Sequence, residues 1–206
     1  ELTTEPDQRC RNVNPFGYSL VDQDESKTSL KLGFIRDINE ELSFYYQYAE
    51  GFRSPDFYSS NLSFTNFAFR YTIIPNPDLG PEESEGSEFG FKGQASNGSW
   101  SVAFYDNDYK DFIETEMTGF TMTGLMKFVY KNLDDVNIKG SEIKANFNLS
   151  DNLTAQFGFN NSKGRQDGKR LTTVDPDQAI LGLLWNSDDS KLSINTYAKI
   201  TDGSPQ

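Results

Sequence analysis

Histidine is missing from all 206 residues, and cysteine occurs once, at Cys10. The first absence removes His-based catalytic triads and the commonest side-chain metal ligand. The second rules out a disulfide within the chain and leaves Cys10 to pair elsewhere or remain a free thiol. No run of 18 apolar residues occurs, so no helix of this chain is long and apolar enough to cross a bilayer. Positive charge is scarce too. Nineteen Lys and Arg face 31 Asp and Glu, for a net charge of −12. Nucleic acid selects basic patches, so it is not the expected partner. Neither a G-x-S-x-G elbow, a P-loop nor a Rossmann fingerprint appears. The chain has no initiator Met and no signal peptide; it runs from Glu1 to Gln206 as a piece of something longer would.

What the chain does have is aromatic residues, 14% of the total, with 17 Phe and 10 Tyr. Disordered chains are depleted in these. They recur at every second position, the period of a strand with one apolar face. Thr28 to Arg36 puts Leu30, Leu32 and Phe34 on one side, and Leu42 to Tyr48 does the same with Leu42, Phe44, Tyr46 and Tyr48. Ser87 to Gln94 and Trp100 to Tyr109 follow, the latter with Trp100, Val102 and Phe104 opposed to Ser101, Ala103 and Tyr105. Val136 to Leu149, Leu153 to Phe159, Ala179 to Trp185 and Leu192 to Ala198 complete eight predicted strands. No amphipathic helix interrupts them, and the fold class is all-β.

The connections between these strands alternate in length. "DINEE", "ASNGS", "SDN" and "NSDDS" are tight turns, whereas the others run to roughly 20 to 35 residues, which compact soluble domains rarely tolerate repeatedly. An antiparallel transmembrane barrel is built this way, with short turns at one end, long loops at the other and apolar-out, polar-in strands. Lys31, Ser43, Gln47, Lys92, Ser101, Lys144, Asn146 and Asn148 would then face a wet interior. Tyr46, Tyr48, Trp100, Tyr105 and Tyr109, near strand ends, would form interfacial girdles. A secreted acidic β-sandwich with one polar face per sheet also fits the alternation, with Trp100 and Trp185 as ligand platforms.

Ordered motifs favour the barrel. "YAEGFRSP" (residues 48–55), "NPDLGPEES" (76–84) and "SEFGFKG" (87–93) resemble the paired boxes of TonB-dependent outer-membrane receptors. "VAFYDNDYKDFI", "NIKGSEIKANFNLSDNLT" and "VDPDQAILGLLW" continue the likeness in order to Trp185. The first boxes and the last motif are most similar to the haem, haemoglobin and transferrin branch. The box residues are Phe52, Arg53, Ser54 and Pro55, then Asn76, Pro77, Asp78 and Leu79.

The resemblance implies part of a barrel of about 22 strands, with the plug domain and the C-terminal strands outside residues 1–206. It implies a multi-pass protein of the cell outer membrane, not an enzyme, with no intrinsic cofactor. The transported ligand would be haem, a haem-protein or a ferric siderophore. Import would depend on the TonB-ExbB-ExbD energy-coupling complex, reached through the plug and its TonB box. Pro75, Pro77 and Pro81 would stiffen the descending limb of an extracellular loop. Asp78 would bond its own backbone in a turn, and Glu82, Glu83 and Glu85 would mark re-entry into the wall, with Phe89 and Phe91 facing lipid.

Between the boxes, haem receptors of this branch carry a histidine ligand. "DFYSSNLSFTNFAFRYTII" has none. Tyrosine is a known axial ligand of haem iron, so Tyr58 and Tyr71 are the chemical substitutes; both also read as packing residues. Phe57, Phe64, Phe67 and Phe69 could stack on a ligand or form the loop's own core. Arg53 and Arg70 could pair with ligand carboxylates, and Arg53 reads equally as an anchor in the barrel mouth. Glu114 and Glu116, or Asp106, Asp108 and Asp111, supply carboxylate pairs, but acidic pairs are common in so acidic a chain. "DNDYKD" lacks the glycine and distal glutamate of a calcium loop.

Overall fold

A computed structural model describes residues 20–22, 24–171 and 174–202; Cys10 lies outside them. The described chain forms thirteen strands and one short helix. It divides into two units. One comprises Gly51–Ser84 and Tyr109–Asp135 with the described part of residues 1–28. The other comprises Ser29–Glu50, Glu85–Asp108 and the described part of residues 136–206.

The long strands, most of whose residues belong to the second unit, are β1 (Lys31–Asp37), β2 (Leu42–Arg53), β5 (Glu82–Ala95), β6 (Gly98–Lys110), β9 (Val136–Ser150), β10 (Leu153–Gln166), β12 (Gln178–Asn186) and β13 (Ser193–Thr201). They form one sheet in that order, with the short β11 (Lys169–Leu171) added to β10. These eight long strands correspond one for one to the eight that alternation predicts. The register pairs Phe34 with Tyr46, Phe157 with Ala145 and Leu181, and Leu183 with Thr196, all antiparallel.

Because cross-strand partners share a face, the two faces can be read directly. Phe34 touches Phe44 and Tyr46, Phe44 touches Phe91, and Phe89 stacks on Phe104, with ring centroids 5.3 to 6.0 Å apart. Val102 and Trp100 continue this face along β6, and Leu181, Leu183, Trp185 and Ile194 carry it to β12 and β13. The side chains on it are largely exposed. A sandwich would bury such a face under a second sheet, and none of the described residues does so.

The other face is polar. Ser43 donates to Asp37 at 2.6 Å, Tyr45 donates to Glu88 at 2.8 Å, and the Lys92 ammonium sits 5.0 Å from the Tyr45 ring centre. Lys31, Gln47, Lys144, Asn146 and Asn148 lie on this side, opposite Ala49, Gly33, Gly158, Gln156 and Thr154. The predicted inward set thus shares one surface. Tyr105 belongs to it as well, its ring lying over Gly140 where a side chain would collide with it. Tyr105 is therefore a polar-face residue, as its alternation with Trp100 required, and not part of a girdle. Ile35, Ile180 and Tyr197 are apolar exceptions on this side.

The first unit departs most from expectation. Its segments read as structureless excursions, yet they fold into a second sheet, β3 (Phe64–Asn66), β4 (Tyr71–Ile74), β8 (Met126–Leu133) and β7 (Phe112–Phe120), in that order. β3 and β4 form a hairpin, β7 and β8 another. A parallel ladder from Tyr71↔Met126 to Ile74↔Val129 joins the two. Two connections far apart in sequence are therefore one folded object. Helix α1 (Phe57–Asn61) precedes β3.

Candidate functional site

The paired boxes meet in the first unit. The chain leaves β2 at Arg53, and Asp56 caps α1 by accepting from the Ser59 backbone N–H at 2.7 Å. An aspartate here satisfies a donor that the first helical turn leaves open. Ser59, Ser60 and Asn61 are buried, which turns Phe57 and Tyr58 outward. The Asn61 amide both accepts from Val21 N and donates to Val21 O, as a neighbouring strand would.

Asn76 is the hub of the second box. Its side-chain oxygen accepts from Asp78 N at 3.1 Å, and its amide donates to Tyr130 O at 2.9 Å. Its backbone N–H reaches Ser59 O at 3.0 Å, and its carbonyl accepts from Leu79 N at 3.3 Å. The turn-forming side chain is therefore that of Asn76, whereas Asp78 is exposed, contrary to the expectation that Asp78 would close the turn. Pro75 and Leu79 are buried.

Asn132 of β8 then holds the following residue, accepting from Gly80 N at 2.8 Å and donating to Gly80 O at 2.9 Å and Asp111 O at 2.8 Å. One ion pair closes the arrangement. Glu82, only 8% exposed, accepts from the Arg53 guanidinium and from Ile113 N, each at 2.9 Å. Arg53 also donates to Ile113 O at 3.3 Å. The arginine of the first box is thus fastened to the glutamate following the second, and both to β7. Arg53 is therefore held by Glu82 and by the Ile113 carbonyl.

The other predicted site residues separate into two groups. Tyr71 packs between Phe64 and Phe128, with ring centres 5.9 and 6.1 Å away, a packing role. Phe57 and Tyr58 stand out from α1 as an edge-to-face pair, with Tyr58 71% exposed. Arg70, at φ 56°, ends the β3–β4 turn, and its guanidinium touches Gly124 O at 3.5 Å. Tyr130 of β8 has a phenol pushed above its ordinary pKa, first by burial and then by the negative charges of Asp56 and Glu114.

Four of the carboxylates considered for chemistry have local partners. Glu116 pairs with Lys131 at 2.5 Å, and Glu114 accepts from Thr115 N at 3.0 Å. Asp106 and Asp108 both accept from the Asn137 amide, at 2.6 and 2.9 Å. Among the described residues, none of these groups assembles into a cluster fit to hold a metal.

Sequence reading missed Asn132 and the β7–β8 hairpin with its tip residues Phe120 and Met122. A signal was present, since Met126, Phe128 and Tyr130 alternate with Lys127, Val129 and Lys131.

A family model described as TonB dependent receptor-like, beta-barrel, matches residues 7–204. Among curated proteins, a "Probable hemoglobin and hemoglobin-haptoglobin-binding protein 4" of Haemophilus influenzae is 26% identical over 211 residues, covering 93% of this chain and 21% of its own length. The chain spans about a fifth of the length of the curated relatives it matches. Among solved structures, a double mutant of the Serratia marcescens hemophore receptor HasR, in complex with its hemophore HasA and heme, aligns with TM-score 0.69 and 20% identity, over 89% of this chain and 33% of that one. The siderophore receptor PirA from Pseudomonas aeruginosa aligns with TM-score 0.66 and 19% identity, over 85% and 34%. At such identities these two likenesses speak for the fold alone.

Proposed function

Because the chain belongs to the TonB-dependent receptor β-barrel family, we propose that it forms part of an outer-membrane receptor importing an iron chelate, foremost haem taken from a haem-protein. On this reading the apolar face of the long sheet meets lipid, and the polar face lines the barrel interior. The short turns are periplasmic and the long connections extracellular. A plug, further strands and coupling to the TonB-ExbB-ExbD complex belong to the rest of a protein of which this chain is a small part.

The cargo reading is carried by one observation. The likeness to a probable haemoglobin-binding protein runs through 93% of the chain, boxes and loop unit included. Chemistry favours a binding role for the loop unit. Its sheet is already formed, so capturing a ligand costs less ordering than closing two loose loops would. Arg53 supports this platform, and Phe57, Tyr58 and Arg70 are the predicted site residues left facing outward from it.

A second reading, a ferric-siderophore receptor, is favoured by the absence of histidine. Any axial haem ligand from this chain would have to be a tyrosine, and Tyr58 is the exposed candidate. The two readings separate in an iron-starved host that lacks its own receptors and carries the full-length gene. Growth on haemoglobin or haem that requires an intact energy-coupling complex is expected. Growth on ferric siderophores alone would reject the haem reading and keep the transport class.

A further inference from the structure

The hairpin tips of the loop unit expose more apolar surface than a solvated loop requires. Phe67 and Phe69 at the β3–β4 tip are 79% and 73% exposed, and Phe120 and Met122 of the β7–β8 tip are also exposed. The tips adjoin. Met126 N donates to Arg70 O at 2.9 Å, and the Arg70 guanidinium reaches Gly124 O. Four large side chains at such exposure present on the order of 500 Å² of apolar surface. That rivals the largest patch on a typical monomer and is more than half of the roughly 800 Å² that one partner buries in a standard interface.

The charge around this surface runs against the rest of the chain. Residues 66–74 and 117–129 carry Arg70 and Lys127 and not one Asp or Glu, in a chain of net charge −12. An apolar centre flanked by cations complements an apolar centre flanked by carboxylates. The residues project from turns, and the shape matters. Small ligands need concave enclosure, whereas aromatics, Met and Arg on a projecting surface have the composition of a protein–protein hot spot.

We infer that the paired tips, Phe67, Phe69 and Arg70 with Phe120, Met122 and Lys127, form the docking surface for the partner protein that delivers the cargo. The partner would present an apolar patch ringed by acidic side chains. The inference rests on the haem-protein reading above and makes it more specific: docking falls to the hairpin tips, Arg70 included, whereas Phe57 and Tyr58 of α1 are left for the cargo.

The test uses the full-length receptor displayed on cells, with haemoglobin as the probe and free haem as the comparison. One variant combines Phe67→Ser, Phe69→Ser, Phe120→Ser and Met122→Ser; a second combines Arg70→Glu and Lys127→Glu. The first should weaken haemoglobin binding at least tenfold and leave growth on free haem unchanged. The second, which keeps the apolar residues, should slow haemoglobin association about tenfold at low salt and flatten its salt dependence. Wild-type haemoglobin affinity in both variants overturns the docking surface while leaving the receptor reading intact. If the serine variant loses free-haem growth as well, the charge-reversed variant decides, and unchanged association there overturns the inference. Loss of binding to anionic-lipid vesicles with haemoglobin affinity preserved would make the tips a lipid contact, which also overturns it. A wild-type receptor that binds no haemoglobin and supports no growth on haem brings down the functional reading and this inference together.

Discussion

Replacing Glu82 tests whether the boxes are held by the ion pair or by the buried acceptor. Glu82→Ala removes two interactions. The first is the pair with Arg53, whose side chain is more than half exposed. Solvent screening reduces such a pair to about 0.2–1 kcal/mol. The second is the charged acceptor of Ile113 N–H, which loses a bond worth about 1.5–3 kcal/mol. The acceptor therefore dominates, and the local cost is about 2–3 kcal/mol. Amide exchange through local opening of β7 should then quicken about 30- to 150-fold, at tenfold per 1.4 kcal/mol. Hydrogen exchange on the full-length receptor in detergent, followed residue by residue across Phe112–Phe120, measures this. Glu82→Gln keeps an acceptor and should raise exchange only about fivefold, and Arg53→Ala should act no more strongly. Arg53→Ala matching Glu82→Ala would show that the ion pair outweighs the acceptor. A change under threefold in Glu82→Ala would refute the reasoning altogether.

Three further outcomes are expected. Asn132→Ala breaks three bonds at once and should raise exchange at Gly80 and destabilise the unit by about 2 kcal/mol, whereas Asp78→Ala, at an exposed position, should change it by less than about 0.5 kcal/mol; thermal melts of the two variants compare them. Asp189 accepts from Ser187 Oγ at 2.7 Å and Lys191 N at 3.1 Å, and the Ser187 bond first of all lowers its pKa below the ordinary carboxylate value. A lowered folded pKa contributes stability above the unfolded value, so protection of the Lys191 amide should hold above about pH 4 and fall as the pH drops below it; constant protection down to pH 2 would contradict this. Tyr58→Phe, but not Tyr71→Phe, should abolish any tyrosinate-to-iron charge-transfer band of the haem-loaded receptor, since Tyr71 is held between two rings.

The strands of the long sheet were legible because each must keep one face apolar along its whole length, and a period of two survives in sequence whatever the neighbours are. Lys92 and Phe91 can be assigned opposite faces with no knowledge of Tyr45 or Phe44. The loop unit was less legible, for physical reasons. Its strands are short, and β3 has only three residues, too few for a period to register. β4 is completed by a parallel partner from another connection, a relation that no local pattern encodes. The boxes were recognised as motifs, yet their roles were set by distant groups. Asn76 rather than Asp78 closes the turn because Tyr130 O and Ser59 O fix its orientation. Arg53 is occupied because Glu82 and Ile113 lie beside it. Exposure could not be inferred either, since Phe67, Phe69 and Tyr71 look alike in sequence and only the last is packed.

The parallel ladder between β4 and β8 constrains how such receptors can diversify. Loops that stand alone can be exchanged one at a time, and each can drift independently of the others. Here the innermost strand of the earlier connection finds its partner in the later one, at Tyr71↔Met126 and Ile73↔Phe128. A chimaera that transplants residues 51–84 without residues 109–135 would sever that ladder and leave both halves with an unsatisfied edge. The heritable module is the pair, and recombination that keeps the protein working must carry both segments across the intervening strands together.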